Sequence, residues 1–105
     1  MIKMMMSKDG ALGPVVVCDA CGERIMEVRK AVAMYPSRSV EPGQLADVLH
    51  VHKGDCDRRA SAKHGDAGGT DELGTHLVFL IENTDLRDPK TLAEAKEMAD
   101  MTRQL

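Results

Sequence analysis

The stretch Cys18-Asp19-Ala20-Cys21-Gly22 and the segment His50-Val51-His52-Lys53-Gly54-Asp55-Cys56 hold all three cysteines of this chain and two of its four histidines. Two cysteines that are two residues apart bind one metal ion only if the backbone turns sharply between them. Gly22 follows the second cysteine and tolerates the positive φ that relieves crowding in such a turn. The pattern predicts a metal-binding knuckle that a distant His–Cys pair completes.

The chain offers four ligands for one structural Zn²⁺, which proteins usually bind tetrahedrally through Cys and His. Cys18, Cys21 and Cys56 supply three thiolates, and the fourth ligand is a histidine. We prefer His52, because three intervening residues let it converge with Cys56; His50, on the same strand face, is the rival ligand. Four protein ligands close the metal, so we expect a structural role and no enzymatic activity.

The composition supports a metal that stabilises the fold. The 105 residues include one Tyr, one Phe and no Trp, so the core must be built from aliphatic side chains and methionine. A small domain without large aromatic groups has little stability to spare, and a bound metal compensates for this.

Charge and cysteine content narrow the class of protein. The net charge of −3 disfavours a nucleic-acid binder, which is usually basic. An odd number of cysteines with a CxxC pattern fits a reducing, cytoplasmic location. No apolar run approaches the roughly 20 residues of a membrane span, and we expect no signal peptide.

The pattern predicts an α+β fold in which a zinc-stapled module (zinc knuckle, β-hairpin and short helix) is followed by one amphipathic helix and a C-terminal helix. We expect a frayed N-terminus at residues 1–13, a zinc-binding domain at 14–84 and a C-terminal helix or tail at 85–105. The predicted strands are 14–18, 31–35 and 45–52, with a loop at 36–43 and a linker at 66–69.

Helix boundaries follow from capping residues. Asp55 is the predicted cap of a helix that runs from residue 56 to about residue 64 and ends at Gly65. The start of this helix should favour the Cys56 thiolate. Thr70 or Asp71 should cap the amphipathic helix over residues 73–83, with His76 buried on its apolar face. Asp88-Pro89 should open the last helix.

The order of knuckle, hairpin and ligand-bearing helix resembles the treble-clef zinc fingers. The segments CDACGERI and VHVHKGDCDR are also similar to those of small uncharacterised bacterial zinc-binding proteins, over residues 15–64. Treble clefs commonly place two ligands on the final helix, whereas here one ligand precedes it. The resemblance implies a zinc site and a small α+β fold, on a scaffold that serves many roles.

Three functions remain open at this point. The first is a protein-interaction module that contacts a protein partner, or a second copy of itself, through Leu77, Phe79, Leu80 and Ile81. The second is a nucleic-acid or acidic-partner contact through Lys53, Arg58, Arg59 and Lys63, of which Lys53 and Arg58 would also offset the charge of the thiolates. The third is thiol–disulfide chemistry at Cys18 and Cys21.

Overall fold

The computed structural model describes residues 1–36, 39–45, 47–65 and 67–102. The fold is mixed α+β, as predicted. The strands are β1 (Ile2–Met6), β2 (Leu12–Val16), β3 (Ala31–Pro36), β4 (Ser39–Glu41), β5 (Gln44–Leu45), β6 (Leu49–His52) and β7 (Ala67–Glu72). The helices are α1 (Asp55–His64), α2 (Leu73–Glu82) and α3 (Pro89–Thr102), with 3₁₀ turns at Val28–Lys30 and Asp85–Arg87.

A three-stranded antiparallel sheet in the order β6-β3-β7 is the centre of the fold. Its middle strand, β3, buries Ala31, Ala33 and Met34 almost completely. The β3–β6 pairing confirms the predicted hairpin, although β6 is shorter than the expected strand at 45–52. Ala31 lies opposite His52 in this pairing, so the hairpin register fixes the position of one candidate ligand.

The predicted linker at 66–69 is wrong for residues 67–69, which belong to strand β7; residue 66 lies outside the described residues. Ala67 and two glycines have low intrinsic strand preference, and the partner strand β3 supplies the hydrogen bonds that hold them extended. Because β7 runs directly into α2, Glu72 precedes the helix without a side-chain cap, and neither Thr70 nor Asp71 acts as the cap.

The N-terminal residues form a hairpin where we expected a frayed end. Strand β1 pairs antiparallel with β2, and the register places Met4 opposite Pro14. Strand β2 is in turn attached to the knuckle, because Ile25 N–H donates to the Val16 carbonyl at 2.8 Å. The methionine-rich segment β1 lacks the alternation of apolar and polar residues that predicts a strand, and its pairing with β2 holds it in the extended conformation. Whether residues 14–84 fold as a separate unit stays a prediction.

The helix ends match the sequence in part. Helix α1 begins at Asp55 itself after Gly54 and has no side-chain cap, so the predicted capping role of Asp55 is wrong. Gly65 ends α1 and Asn83 ends α2, as predicted. Asp88 accepts a hydrogen bond from the Thr91 backbone N–H at 3.0 Å, which is a helix cap for α3.

One hydrophobic core joins the sheet, the helices and the knuckle. It is formed by Cys18, Ile25, Ala31, Met34, Val51, Ala60 and Leu73. No aromatic ring belongs to this group, in agreement with the composition. Cys18 is only 1% exposed, so one candidate ligand is itself a core residue. Helix α3, in contrast, has no buried residue within its described part.

Candidate metal centre

Four side chains meet beside the core in the arrangement of a metal site. Cys18, Cys21, His52 and Cys56 each present one ligand atom, and these atoms all lie within 4.8 Å of one another. All three cysteines are free thiols. The residues come from the knuckle, the end of β6 and the first turn of α1, so the cluster joins three separate parts of the chain.

The spacing of the ligand atoms fits a tetrahedral metal. With Zn–S near 2.3 Å and Zn–N near 2.0–2.1 Å, two tetrahedral ligands lie about 3.6 Å apart for S···N and about 3.8 Å for S···S. His52 Nδ1 lies 3.5 Å from Cys21 Sγ and 3.9 Å from Cys56 Sγ. All separations are within 4.8 Å, so none exceeds the tetrahedral value by more than about 1 Å.

The knuckle is shaped by its own backbone hydrogen bonds. Gly22 N–H donates to the Cys18 carbonyl at 2.9 Å, and Cys18 N–H donates to the Glu23 carbonyl at 2.8 Å. Gly22 has φ +78°, in the left-handed region that the sequence pattern predicted for it. Ala20 N–H points at Cys18 Sγ at 3.4 Å. The turn therefore brings the two cysteines together and directs an N–H donor at a thiolate.

The second ligand pair depends on the turn between β6 and α1. Lys53 N–H donates to the Lys30 carbonyl at 2.8 Å and extends the β3–β6 pairing just past His52. Gly54 then adopts φ +94°, ψ −120°, a conformation that is accessible almost only to glycine. This turn reverses the chain so that Cys56 in α1 faces His52.

Asp19, inside the CxxC loop, connects the knuckle to β6. Its carboxylate accepts the His50 backbone N–H at 2.7 Å, and its own N–H donates to the His50 carbonyl at 2.8 Å. These two bonds fix the distance between the halves of the centre. This role of Asp19 was not predicted, although a short acidic side chain inside a tight turn is a recognised signal for hydrogen bonding to the backbone.

Backbone donors favour the thiolate form of Cys18. Burial by itself would raise the pKa of Cys18, but hydrogen bonds from the backbone N–H groups of Cys21, His52 and Ala20 outweigh it. The result is a pKa lowered to about 6. A thiolate that is present at neutral pH without a metal is prepared for metal binding, since the thiolate is the ligand.

Cys56 behaves differently from the prediction. Burial, together with the neighbouring Cys18 and Cys21, raises its pKa above the usual thiol value, while a hydrogen bond from Arg59 opposes the rise. The predicted stabilisation of the Cys56 thiolate by the start of α1 is therefore outweighed. Three sulfur atoms in one small site repel each other as anions, and a bound cation removes this repulsion.

Arg59 is the cation that contacts the cluster. Its Nη2 donates to Cys56 Sγ at 3.5 Å, one helical turn away in α1. The predicted compensating cations are bound elsewhere: Lys53 pairs with Glu72 at 2.7 Å, and Arg58 pairs with Asp55. The three-residue spacing between Cys56 and Arg59 on a helix was the signal for this contact.

His50 lies outside the cluster of four. It follows the same strand parity as His52, but its imidazole is turned toward the N-terminal strand and His76, with ring centroids 5.3 Å apart. Burial lowers the pKa of His50, as do the nearby positive charge of the N-terminus and His76. The structure thus brings His52, and not the rival His50, to the three cysteines.

The buried His76 has a side-chain hydrogen-bond partner, Tyr35. The Tyr35 hydroxyl donates to Asp71 at 2.9 Å and lies 2.9 Å from His76 Nδ1. Because the single hydroxyl proton is used on Asp71, His76 Nδ1 carries a proton and donates to the Tyr35 oxygen. These bonds attach the start of α2 to the sheet behind the metal centre.

The remaining predicted contact residues separate into two groups. Among the four basic residues, Lys53, Arg58 and Arg59 already bind groups of the protein itself. Among the apolar residues of α2, Leu77 packs against the core, whereas Phe79, Leu80 and Ile81 are exposed. The geometry therefore leaves apolar side chains, more than cations, free to contact a partner.

Comparison of the chain with protein-family models, curated proteins and solved structures finds no match to any of them. The likeness to treble-clef zinc fingers accordingly stays a prediction. Within the described residues, no helix combines the length and the apolar character that crossing a membrane requires.

Proposed function

We propose that this chain is a small zinc-binding protein in which a Cys3His centre of treble-clef type has a structural role. The observation that carries the proposal is the convergence of Cys18, Cys21, His52 and Cys56 at near-tetrahedral spacing. Three sulfurs and one imidazole are a ligand set typical of Zn²⁺. Since four protein ligands complete a tetrahedral shell, no position is left for substrate, which supports a non-enzymatic protein.

The same geometry disfavours thiol–disulfide chemistry as the main activity. A reactive cysteine in a CxxC pattern needs a low pKa together with access to a substrate. Cys18 has the lowered pKa but is buried, and Cys21 is the exposed member of the pair. The arrangement is the reverse of what an attacking thiolate requires.

We further propose that the protein acts as an interaction module through the exposed part of α2. Val78, Phe79, Leu80 and Ile81 expose between 38% and 50% of their surface in one continuous run. Apolar and aromatic side chains of this kind are typical of the central part of a protein interface. The metal centre would then hold the fold that presents this helix.

Metal removal tests the structural zinc directly. Native mass spectrometry of the purified protein should show one Zn²⁺ per chain, and Cys21→Ser should abolish it. Structural zinc contributes about 10–16 kcal/mol of apparent binding energy in zinc-finger peptides, so a strong chelator should unfold the chain, as circular dichroism would report. The matched control is Ser61→Ala, which changes a side chain of α1 away from the four ligands.

An unchanged circular dichroism spectrum and melting temperature after complete metal removal would contradict the structural role. If the purified protein contained a metal other than zinc, the assignment of zinc would be wrong. If Cys21→Ser bound the metal as well as the wild type does, the assignment of Cys21 as a ligand would be wrong.

A further inference from the structure

The N-terminal hairpin has an outer face that is apolar along its whole length. Directly opposed residues of an antiparallel pair share one face, so the register places Ile2, Met4, Met6, Leu12, Pro14 and Val16 together. Of these, Val16 also packs against the core. Ile2, Met4 and Met6 are each 64–65% exposed, and Leu12 is 40% exposed. The opposite face carries Val15, which is buried against the protein.

This outer face is large for a surface patch of so small a chain. Its side chains leave roughly 500 Å² of surface open, within the 300–600 Å² that the largest patch on a typical monomer reaches. A two-stranded hairpin by itself is only marginally stable in water and depends on packing for its stability. Burial of the outer face would therefore stabilise the hairpin as well as remove apolar surface from water.

We propose that this hairpin face is a homodimer contact, in which two copies pack face to face about a two-fold axis near Met4. Two such faces bury roughly 1,000 Å² in total, which is the lower limit for a specific interface. The proposal concerns a surface other than the exposed part of α2 and does not depend on it.

The charge and flexibility of the face favour a second copy as the occupant. None of its six side chains is charged, because Lys3 lies on the opposite face with Val15. Self-association therefore brings no like charges together, and a strongly charged partner would gain nothing here. Two flexible methionines adapt to a copy of the same flat ribbon. Because the buried area is at the lower end for specific interfaces, we expect a weak, reversible dimer.

The NMR signals of the methionine methyl groups test this proposal, because some methionines lie on the hairpin face and others lie elsewhere and serve as controls. In protein labelled with ¹³C at the methionine methyl groups, the signals of Met4 and Met6 should shift as concentration rises from low to high micromolar. Met26, Met98 and Met101 are equally exposed but lie elsewhere, so their signals should stay unchanged. Sedimentation velocity over the same range should show a monomer–dimer equilibrium.

A charge at the centre of the face gives the matched variant. Met4→Lys should raise the dissociation constant at least about a hundredfold, because each lysine would face its copy across the axis. Met26→Lys, an exposed control, should leave it unchanged. Retained zinc in Met4→Lys, and a Met6 signal like that of diluted wild type, would show that the hairpin is still folded.

A chain that stays monomeric throughout, a dimer that Met4→Lys does not weaken, or concentration-dependent shifts at Met98 and Met101 would each overturn the proposal. A dimer that Phe79→Asp abolishes and Met4→Lys leaves intact would assign self-association to α2 instead.

Discussion

Histidines 50 and 52 have the same parity on one strand, and they nevertheless have different surroundings. His52 lies opposite Ala31 at the strand end, where the chain turns into α1, and its Nδ1 is within 3.5–3.9 Å of two sulfurs. His50 lies opposite Ala33, two pairs further into the hairpin, beside Asp19 and His76. A step of two residues along β6 therefore separates the candidate ligand His52 from His50, which lies outside the cluster.

Substitution of each histidine should separate these roles. His52→Ala should weaken zinc binding at least about a hundredfold, because it removes a direct ligand. His50→Ala should still bind one zinc per chain, since its backbone bonds to Asp19 do not involve the imidazole. Competition against a zinc chelator measures both affinities. Loss of zinc from His50→Ala alone would make His50 the ligand.

Helix α2 divides into a packed first half and an exposed second half. Leu73 and His76 are buried and Leu77 contacts the core, but the run from Val78 to Ile81 is open. The core contacts of this amphipathic helix therefore lie in its first turns.

An acidic substitution in the exposed half of α2 should impair partner binding, whereas one in the packed half should impair stability. Phe79→Asp should change the free energy of unfolding by less than about 0.5 kcal/mol, because the side chain is exposed, yet it should abolish binding to a protein partner of this helix. Leu77→Asp should destabilise the fold by about 2 kcal/mol or more, since it places a charge against the core.

Urea unfolding of both variants measures these energies, and quantitative affinity purification compares the proteins that each variant retains. If Phe79→Asp unfolded the chain, or retained the same proteins as the wild type, the exposed part of α2 would not be an interaction surface.

At the scale of the whole molecule, stability should depend on pH through the metal centre. The pKa of Cys18 is lowered to about 6, so its thiolate stabilises the folded state above the ordinary thiol pKa. That contribution declines as the pH falls and is lost below about 6. Cys56 acts in the opposite direction in the metal-free chain, because its pKa is raised, and bound zinc cancels this effect.

The zinc-loaded protein should therefore become steadily less stable as the pH falls from the ordinary thiol pKa, and it should lose zinc and stability together below about 6. Thermal melts and a colorimetric zinc indicator, recorded across the same pH series, measure the two changes. Retention of zinc with an unchanged melting temperature at about pH 5 would show that proton competition for the thiolates does not control the fold.

The sequence by itself predicted what depends on local pattern and on the identity of ligands. The knuckle at Cys18 to Gly22, the β3–β6 hairpin, the end of α1 at Gly65 and the position of α2 follow from residue type and spacing. The four residues that converge at the metal centre were also predicted from the sequence, because the chain has only three cysteines and four histidines.

Only the tertiary structure decided the features that require a partner far away in sequence. Strands β1 and β7 have weak local signals and become extended because β2 and β3 offer free hydrogen-bonding edges. The choice of Arg59 over Lys53 and Arg58 beside the thiolates depends on where Glu72 and Asp55 lie. Strand pairing and ion pairing are contacts between distant residues, and a local pattern in the chain carries no information about which distant groups come together.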